Sequence, residues 1–134
     1  MNNARATTLS LKTSEDVVRM RQEVREHAVE LGFGLVDQTK LVTAASELAR
    51  NTIQYGGGGQ VDLETISDGN RHGICLTFTD RGPGIPDIQM ALKDGFTSGN
   101  GLGLGLGGAK RLSNEFHISS EVGVGTRVTI KRWR

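Results

Sequence analysis

Hydrophobic residues in the first part of the chain recur at steps of three and four, the spacing that is typical of amphipathic helices. Thr13 and Asp16 have the spacing of a capping box, which marks the start of a first helix that ends at Gly32. A second helix is expected to be capped by Asp37 and to end at glycines 56–59. The apolar stripes are Val17, Met20, Val24, Ala28 and Leu31 in the first helix, and Leu41, Ala44, Ala45, Leu48, Thr52 and Tyr55 in the second.

Other hydrophobic residues alternate with polar ones, a period of two that predicts strands with one buried face. The predicted strands cover residues 7–11, 60–66, 74–80, 116–121 and 126–130, with short helices near residues 90–93 and from Leu104 onwards. Turn-forming residues between the second and third strands predict an antiparallel hairpin. The order of these elements predicts an α+β fold, a two-layer α/β sandwich whose mixed, mostly antiparallel sheet carries helices on one face.

The composition narrows the class of protein. A chain of 134 residues has the size of one domain with a single core, so we expect residues 1–134 to form one domain. Lys plus Arg (16) nearly balance Asp plus Glu (15), which argues against nucleic acid or an anionic membrane as a partner. Cys75 is the only cysteine, no signal-peptide pattern opens the chain, and no apolar run is long enough to span a bilayer. We therefore expect a cytoplasmic protein without disulfides.

The run from Gly101 to Gly108 alternates glycine with leucine and permits three interpretations. A flexible linker would not expose so many leucines to solvent. A dinucleotide-binding loop is matched by Gly103-x-Gly105-x-x-Gly108, but no strand leads into it. A P-loop is excluded because no Gly-Lys-Ser/Thr triplet is present. What remains is a loop whose backbone amides, together with a helix N-terminus, face an anion.

Two polar residues of the second helix are candidates for a binding cleft. Glu47 and Asn51 are four residues apart, so both project from one face of the helix, beside its apolar stripe. They should border a cleft at the rim of the core, while Arg50 points to the opposite side, toward solvent or a partner. The alternative is an ordinary polar shoulder of the helix with an exposed arginine.

Asp80 is a further candidate. It has the same parity as Ile74, Leu76 and Phe78, so its carboxylate should point inward if the strand continues to its end. A buried carboxylate needs hydrogen-bond donors, and one donor could be a ligand amine such as the exocyclic amine of adenine. The alternative is a turn aspartate that caps its own loop, since a Gly-Pro-Gly turn begins at Gly82.

Four short motifs, taken together, resemble those of the GHKL ATPases, the superfamily that includes gyrase B, histidine kinases and MutL. They are Glu47-Leu48-Ala49-Arg50-Asn51, Asp80-Arg81-Gly82-Pro83-Gly84-Ile85, Gly101-Leu102-Gly103-Leu104-Gly105-Leu106 and Gly123-Val124-Gly125-Thr126. The short chain is most similar to the stand-alone serine kinases and anti-sigma factors of bacterial stress and sporulation switches. The resemblance is closest to the RsbT-type switch kinases of the stressosome. It rests on the first motif together with Gly84-Ile85-Pro86-Asp87-Ile88 and Asp94-Gly95-Phe96.

The resemblance implies a Bergerat ATP-binding fold with ATP and Mg²⁺ as ligands. Asn51 would ligate Mg²⁺, Glu47 would orient or deprotonate the attacking hydroxyl, and Asp80 would hold the adenine amine. Thr126 would support Asp80 or its bridging water, and residues 87–100 would form a lid over the triphosphate, hinged at residues 101–106. The implied nucleotide-binding residues are Asn51, Asp80, Gly82, Gly84, Ile85, Gly101, Leu102, Gly103, Leu104, Gly105 and Thr126.

One position departs from the family pattern. Related anti-sigma kinases place an arginine just before the glycine run to neutralise the γ-phosphate, whereas this chain has Ser98-Gly99-Asn100 there. The positive charge would have to come from Lys93, Lys110 or Arg111. We therefore expect slow turnover.

The resemblance implies three functional hypotheses. The first is a protein serine/threonine kinase that phosphorylates a STAS-domain antagonist and, once released, activates a PP2C-like phosphatase. The second is an anti-sigma factor whose nucleotide state selects between a sigma factor and the antagonist. The third is a detached histidine-kinase catalytic domain, which is disfavoured because His27 lies outside any pair of phospho-acceptor helices. No nucleic-acid or membrane partner is implied, and the chain could form a homodimer.

Overall fold

The computed structural model describes residues 6–93 and 105–134, which form a sheet with helices packed on one of its faces. The elements are β1 (Ala6–Leu11), α1 (Ser14–Glu30), α2 (Leu35–Gln54), β2 (Gly59–Asp68), β3 (Arg71–Asp80), α3 (Ile88–Ala91), α4 (Gly105–Arg111), β4 (Glu115–Glu121) and β5 (Gly125–Trp133). The strands lie in the order β1-β2-β3-β5-β4, and each adjacent pair is antiparallel. The predicted α+β sandwich is confirmed.

The inner face of the sheet carries the core, as the alternation predicted. Its most buried side chains, each at most 2% exposed, are Leu11, Val61, Leu63, Ile74, Leu76, Phe78 and Ile130. They belong to one hydrophobic cluster with the buried faces of α1 and α2. On α2 the fully buried residues include Ala44, Ala45 and Ala49, whose small side chains let the helix lie close to the sheet.

The capping box predicted for the start of α1 is confirmed. Thr13 Oγ1 accepts a hydrogen bond from the Asp16 N–H at 3.2 Å, and Asp16 Oδ2 accepts one from the Thr13 N–H at 3.1 Å. Gly32 follows the helix with a φ of 83°, in the left-handed region that glycine adopts at low cost. Among the helices of the described ranges, none combines the length and the apolar character needed to cross a membrane.

The two ends of α2 differ from the prediction. The N-cap is Gly34, whereas Asp37 lies in the first turn, where its Oδ1 accepts a hydrogen bond from Arg132 Nη2 at 2.7 Å. Tyr55 does not belong to the buried stripe, because it is the C-cap and is 42% exposed. Both predictions were wrong for the same reason, since a periodic stripe identifies the buried face of a helix but not its terminal residues.

The register of the sheet brings the predicted site residues together. β3 lies between β2 and β5, and its last residue, Asp80, is paired with Gly59 on one side and with Thr126 on the other. The helix α2, which carries Asn51, packs against β3 and α4. The ends of α2 and β3 and the starts of α4 and β5 therefore surround a common cleft.

Candidate active site

A cavity of about 260 Å³ opens between the end of α2, the end of β3, the loop after β3 and the start of α4. Its apolar lining includes Leu48, Phe78, Ile85, Ala91, Leu106 and Val128, its polar side chains include Asn51, Asp80 and Thr126, and Gly84 and Gly105 also line it. An apolar slot with a few converging polar groups is the usual form of a site for a small organic ligand. Three of the predicted residues, Asn51 on α2, Asp80 on β3 and Thr126 on β5, thus meet at one place.

Asp80 ends β3 at the wall of this cavity, and it is half-buried. Its Oδ1 accepts a hydrogen bond from the Gly82 N–H at 2.9 Å, so the carboxylate does cap its own turn. A carboxylate has roughly four lone-pair sites, and a single backbone donor leaves most of them available. Asp80 therefore caps its own turn and also borders the cavity, whereas its hydrogen bond to a ligand amine stays a prediction.

Three glycines surround Asp80 so closely that side chains would not fit. A Cβ on Gly56 would overlap the Asp80 carboxyl group, and a Cβ on Gly125 would overlap the Asp80 carbonyl oxygen. A Cβ on Gly82 would lie 2.6 Å from the Gly56 Cα. The sequence pattern predicted Gly56 only as part of a helix end, although four consecutive glycines exceed what a helix stop requires.

Thr126 is held by a residue that the sequence analysis missed. Its Oγ1 lies 2.8 Å from the Ser120 Oγ on β4, and the same serine oxygen accepts a hydrogen bond from the Ile85 N–H at 2.7 Å. The parity of β4 could have indicated Ser120, because it lies on the same side of the strand as Phe116 and Ile118. The support of Asp80 by Thr126 stays a prediction, which their pairing in the β3–β5 register makes sterically reasonable.

Asn51 and Glu47 differ in their relation to the cavity. Asn51 lines it, whereas Glu47 is not among its lining residues and is only 3% exposed. Glu47 Oε1 forms an ion pair with Arg50 Nη1 at 3.1 Å. Arg50 was expected on the side of α2 opposite the apolar stripe, and it reaches Glu47 because residues three apart on a helix are neighbours. Its side chain is nevertheless 37% exposed, so it does reach solvent.

The glycine-rich segment lies only partly within the residues that the structure describes. The described residues do not include residues 94–100 of the predicted lid, nor the predicted binding residues Gly101, Leu102, Gly103 and Leu104. Gly105 opens α4, and it lines the cavity with Leu106. Gly107 packs so tightly on the Leu92 carbonyl that a Cβ would overlap it, which joins the end of α3 to α4. The phosphate-binding role of the segment stays a prediction.

A family model described as histidine kinase-, DNA gyrase B-, and HSP90-like ATPase matches residues 36–133. This chain therefore belongs to that family of ATPases. The serine/threonine-protein kinase RsbT of Bacillus subtilis (strain 168) is 46% identical over 92% of this chain and 92% of its own. An anti-sigma F factor of Geobacillus kaustophilus (strain HTA426) is 32% identical over 89% of this chain and 85% of its own. The predicted superfamily, its RsbT-type branch and the enzyme class of protein serine/threonine kinase are confirmed.

Solved structures agree on the fold. The RsbU and RsbW domains of a Mycobacterium tuberculosis protein match 99% of this chain with a TM-score of 0.67 and 21% identity, and this chain spans 33% of that longer one. The mycobacterial sensor histidine kinase MprB matches 96% of this chain and 97% of its own with a TM-score of 0.56 and 19% identity. At such identities the likeness shows the fold alone.

The space that Gly56 leaves for Asp80 can be tested with Gly56→Ala. The added methyl group must displace the carboxylate, so we expect ATP affinity to fall about ten-fold or more, given the cost of overpacking. Isothermal titration calorimetry measures the affinity, and thermal unfolding verifies that the variant is folded.

Gly57→Ala is the matched control. Gly57 has a φ of 73° and its Cβ would meet nothing within 4 Å, so alanine there should lower stability by roughly 1–2 kcal/mol and leave the ATP affinity unchanged. Equal losses of affinity in the two variants would contradict the role given to Gly56.

Proposed function

We propose that this chain is a protein serine/threonine kinase that uses Mg-ATP to phosphorylate a STAS-domain antagonist protein in a bacterial stress-signalling partner switch. The observation that carries the proposal is the apolar cavity bordered by Asp80 and Thr126 on adjacent strands and by Asn51 on α2. A kinase is supported by the relative that is 46% identical and is itself a serine/threonine-protein kinase.

The adenine of ATP fits the Asp80 end of the cavity. The Gly82 N–H engages one carboxylate oxygen at 2.9 Å, and the remaining lone pairs can accept a hydrogen bond from the exocyclic amine. Phe78 and Val128 supply apolar surface for the ring. Thr126, which pairs with Asp80 across the two strands, would support the carboxylate either directly or through a bridging water. Recognition of the base thus rests on Asp80.

Asn51 is the residue that would hold Mg²⁺. Its amide oxygen is a hard donor of the kind that Mg²⁺ prefers, and this ion needs only one or two protein ligands because it keeps waters and binds phosphate oxygens. Asn51 lines the cavity, so its side-chain oxygen could ligate an ion bound there. Bound there, the ion would neutralise charge on the phosphates.

Glu47 would orient or deprotonate the substrate hydroxyl. It lies one helical turn before Asn51, and the ion pair with Arg50 at 3.1 Å compensates its charge in a site where it is 3% exposed. Phosphoryl transfer depends mainly on positioning and charge neutralisation. One carboxylate next to the metal ligand is therefore chemically sufficient.

The partner-switch part of the proposal concerns what the kinase binds before and after transfer. We infer that phosphorylation releases the antagonist and frees the kinase to engage a PP2C-like phosphatase. Residues 1–134 would act as one domain in the cytoplasm. ATP is available in that compartment, and Cys75 would stay reduced there. Anti-sigma factors among the relatives support a role in such switches.

An anti-sigma factor is the second candidate function. The 32% identity to an anti-sigma F factor favours it, and the same cavity would then hold the nucleotide that selects between a sigma factor and its antagonist. The two functions share the nucleotide site and differ in the protein partner.

Two substitutions separate nucleotide binding from transfer. Asp80→Asn should abolish ATP binding, because the neutral amide loses the charged acceptor for the adenine amine. Glu47→Ala should keep ATP affinity and lower phosphoryl transfer about 100-fold or more. Calorimetry and mass spectrometry measure the two effects. Asp68→Asn, at the end of β2, is the control, and normal ATP binding by Asp80→Asn would refute the assignment of that residue.

The protein substrate can be identified by incubating the chain with Mg-ATP and purified STAS-domain proteins. We expect phosphate on a serine or threonine of one of them, detected by mass, and none when the Glu47→Ala variant replaces the native chain. Absence of phosphate from every STAS protein, together with tight capture of a sigma factor, would favour the anti-sigma function instead.

A further inference from the structure

The loop of residues 82–86 forms one wall of the cavity, and it is fastened to the β4–β5 hairpin. The Gly123 N–H donates a hydrogen bond to the Pro83 carbonyl at 2.8 Å, and Gly84 lies so close to the Glu121 carbonyl that a Cβ would overlap it. Both of these contacts use backbone atoms. The third uses a side chain, because the Ile85 N–H donates to the Ser120 Oγ at 2.7 Å.

Ser120 also contacts the start of β5. Its Oγ lies 2.8 Å from the Thr126 Oγ1 and 3.2 Å from the Gly125 carbonyl oxygen. A hydroxyl has one donor and two acceptor sites, so Ser120 can accept from Ile85 while it donates to one of the β5 oxygens. A single hydroxyl therefore joins the loop on one wall of the cavity to the strand that faces Asp80.

We propose that Ser120 is a positioning residue for the nucleotide base. Ile85 and Thr126 both line the cavity, whereas Ser120 is not one of its lining residues, so Ser120 acts through them. It fixes the distance between the loop and β5, which sets the width of the slot for the base, and it orients the Thr126 hydroxyl. The inference rests on the proposed binding of adenine at Asp80.

Loss of the Ser120 hydroxyl should weaken nucleotide binding. Without it the half-buried Ile85 N–H loses its acceptor and Thr126 loses a partner, so the slot must be reordered by the ligand. Glu47 and Arg50 form their ion pair on α2, and neither contacts Ser120 in the described hydrogen bonds. The effect should therefore appear in affinity and KM, with kcat retained.

The test compares Ser120→Ala with Ser119→Ala. Ser119 is the exposed neighbour on the opposite side of β4, so it controls for a serine-to-alanine change in the same strand. We expect Ser120→Ala to raise the Kd of both ATP and ADP about five- to ten-fold, since both nucleotides carry the base. Ser119→Ala should leave both Kd values unchanged, and Ser120→Thr, which retains a hydroxyl, should recover most of the affinity.

The outcomes distinguish this inference from the proposed function. If Asp80→Asn abolishes ATP binding but Ser120→Ala lowers only the thermal stability, the serine is merely structural and the inference is overturned. If Asp80→Asn binds ATP normally, the base site and the role of Ser120 both fail. Should Ser120→Ala not fold, Ser120→Cys takes its place, and an unchanged Kd for ADP in that variant likewise overturns the inference.

Discussion

A carboxylate at the edge of a hydrophobic core is stable only where donors reach it and neighbouring side chains leave room for it. Asp80 meets both conditions. The Gly82 N–H binds one oxygen at 2.9 Å, and the absence of a Cβ on Gly56 and on Gly125 allows the end of α2 and the start of β5 to close around it. The carboxylate borders an apolar cavity. A ligand that fits this cavity would be a flat ring that carries a hydrogen-bond donor for the carboxylate.

The strand register and the packing of α2 place the other candidate site residues around Asp80. The antiparallel register holds Asp80 opposite Thr126, and the alanine-rich face of α2 brings Asn51 to the same cavity while Glu47 stays buried beside Arg50. The Asp80 end of the cavity is thus built on strands and backbone amides, whereas Asn51 and Glu47, which we propose as the metal ligand and the catalytic carboxylate, lie on one helix. Such a division lets binding and transfer be altered separately.

The sequence was informative where physical periodicity is strong. The parity of β3 predicted the direction of Asp80, and helical spacing predicted that Asn51 borders the cleft. It failed at helix ends, as with Asp37 and Tyr55, because a stripe does not define where a helix stops. Gly56 could not be recognised, since its role arises from a contact across 24 residues that no local pattern encodes. The parity of β4 could have placed Ser120 on the inner side of its strand, but not its contact with Ile85, 35 residues away.

The central claim is that Asp80 selects ATP by its exocyclic amine. The most direct measurement is the Kd of the native chain for ATP and for inosine triphosphate, in which a carbonyl oxygen replaces that amine, at equal Mg²⁺ and ionic strength. We expect inosine triphosphate to bind about 10- to 100-fold more weakly, because a charged hydrogen bond is lost and two acceptors face each other. Equal affinities would contradict the account.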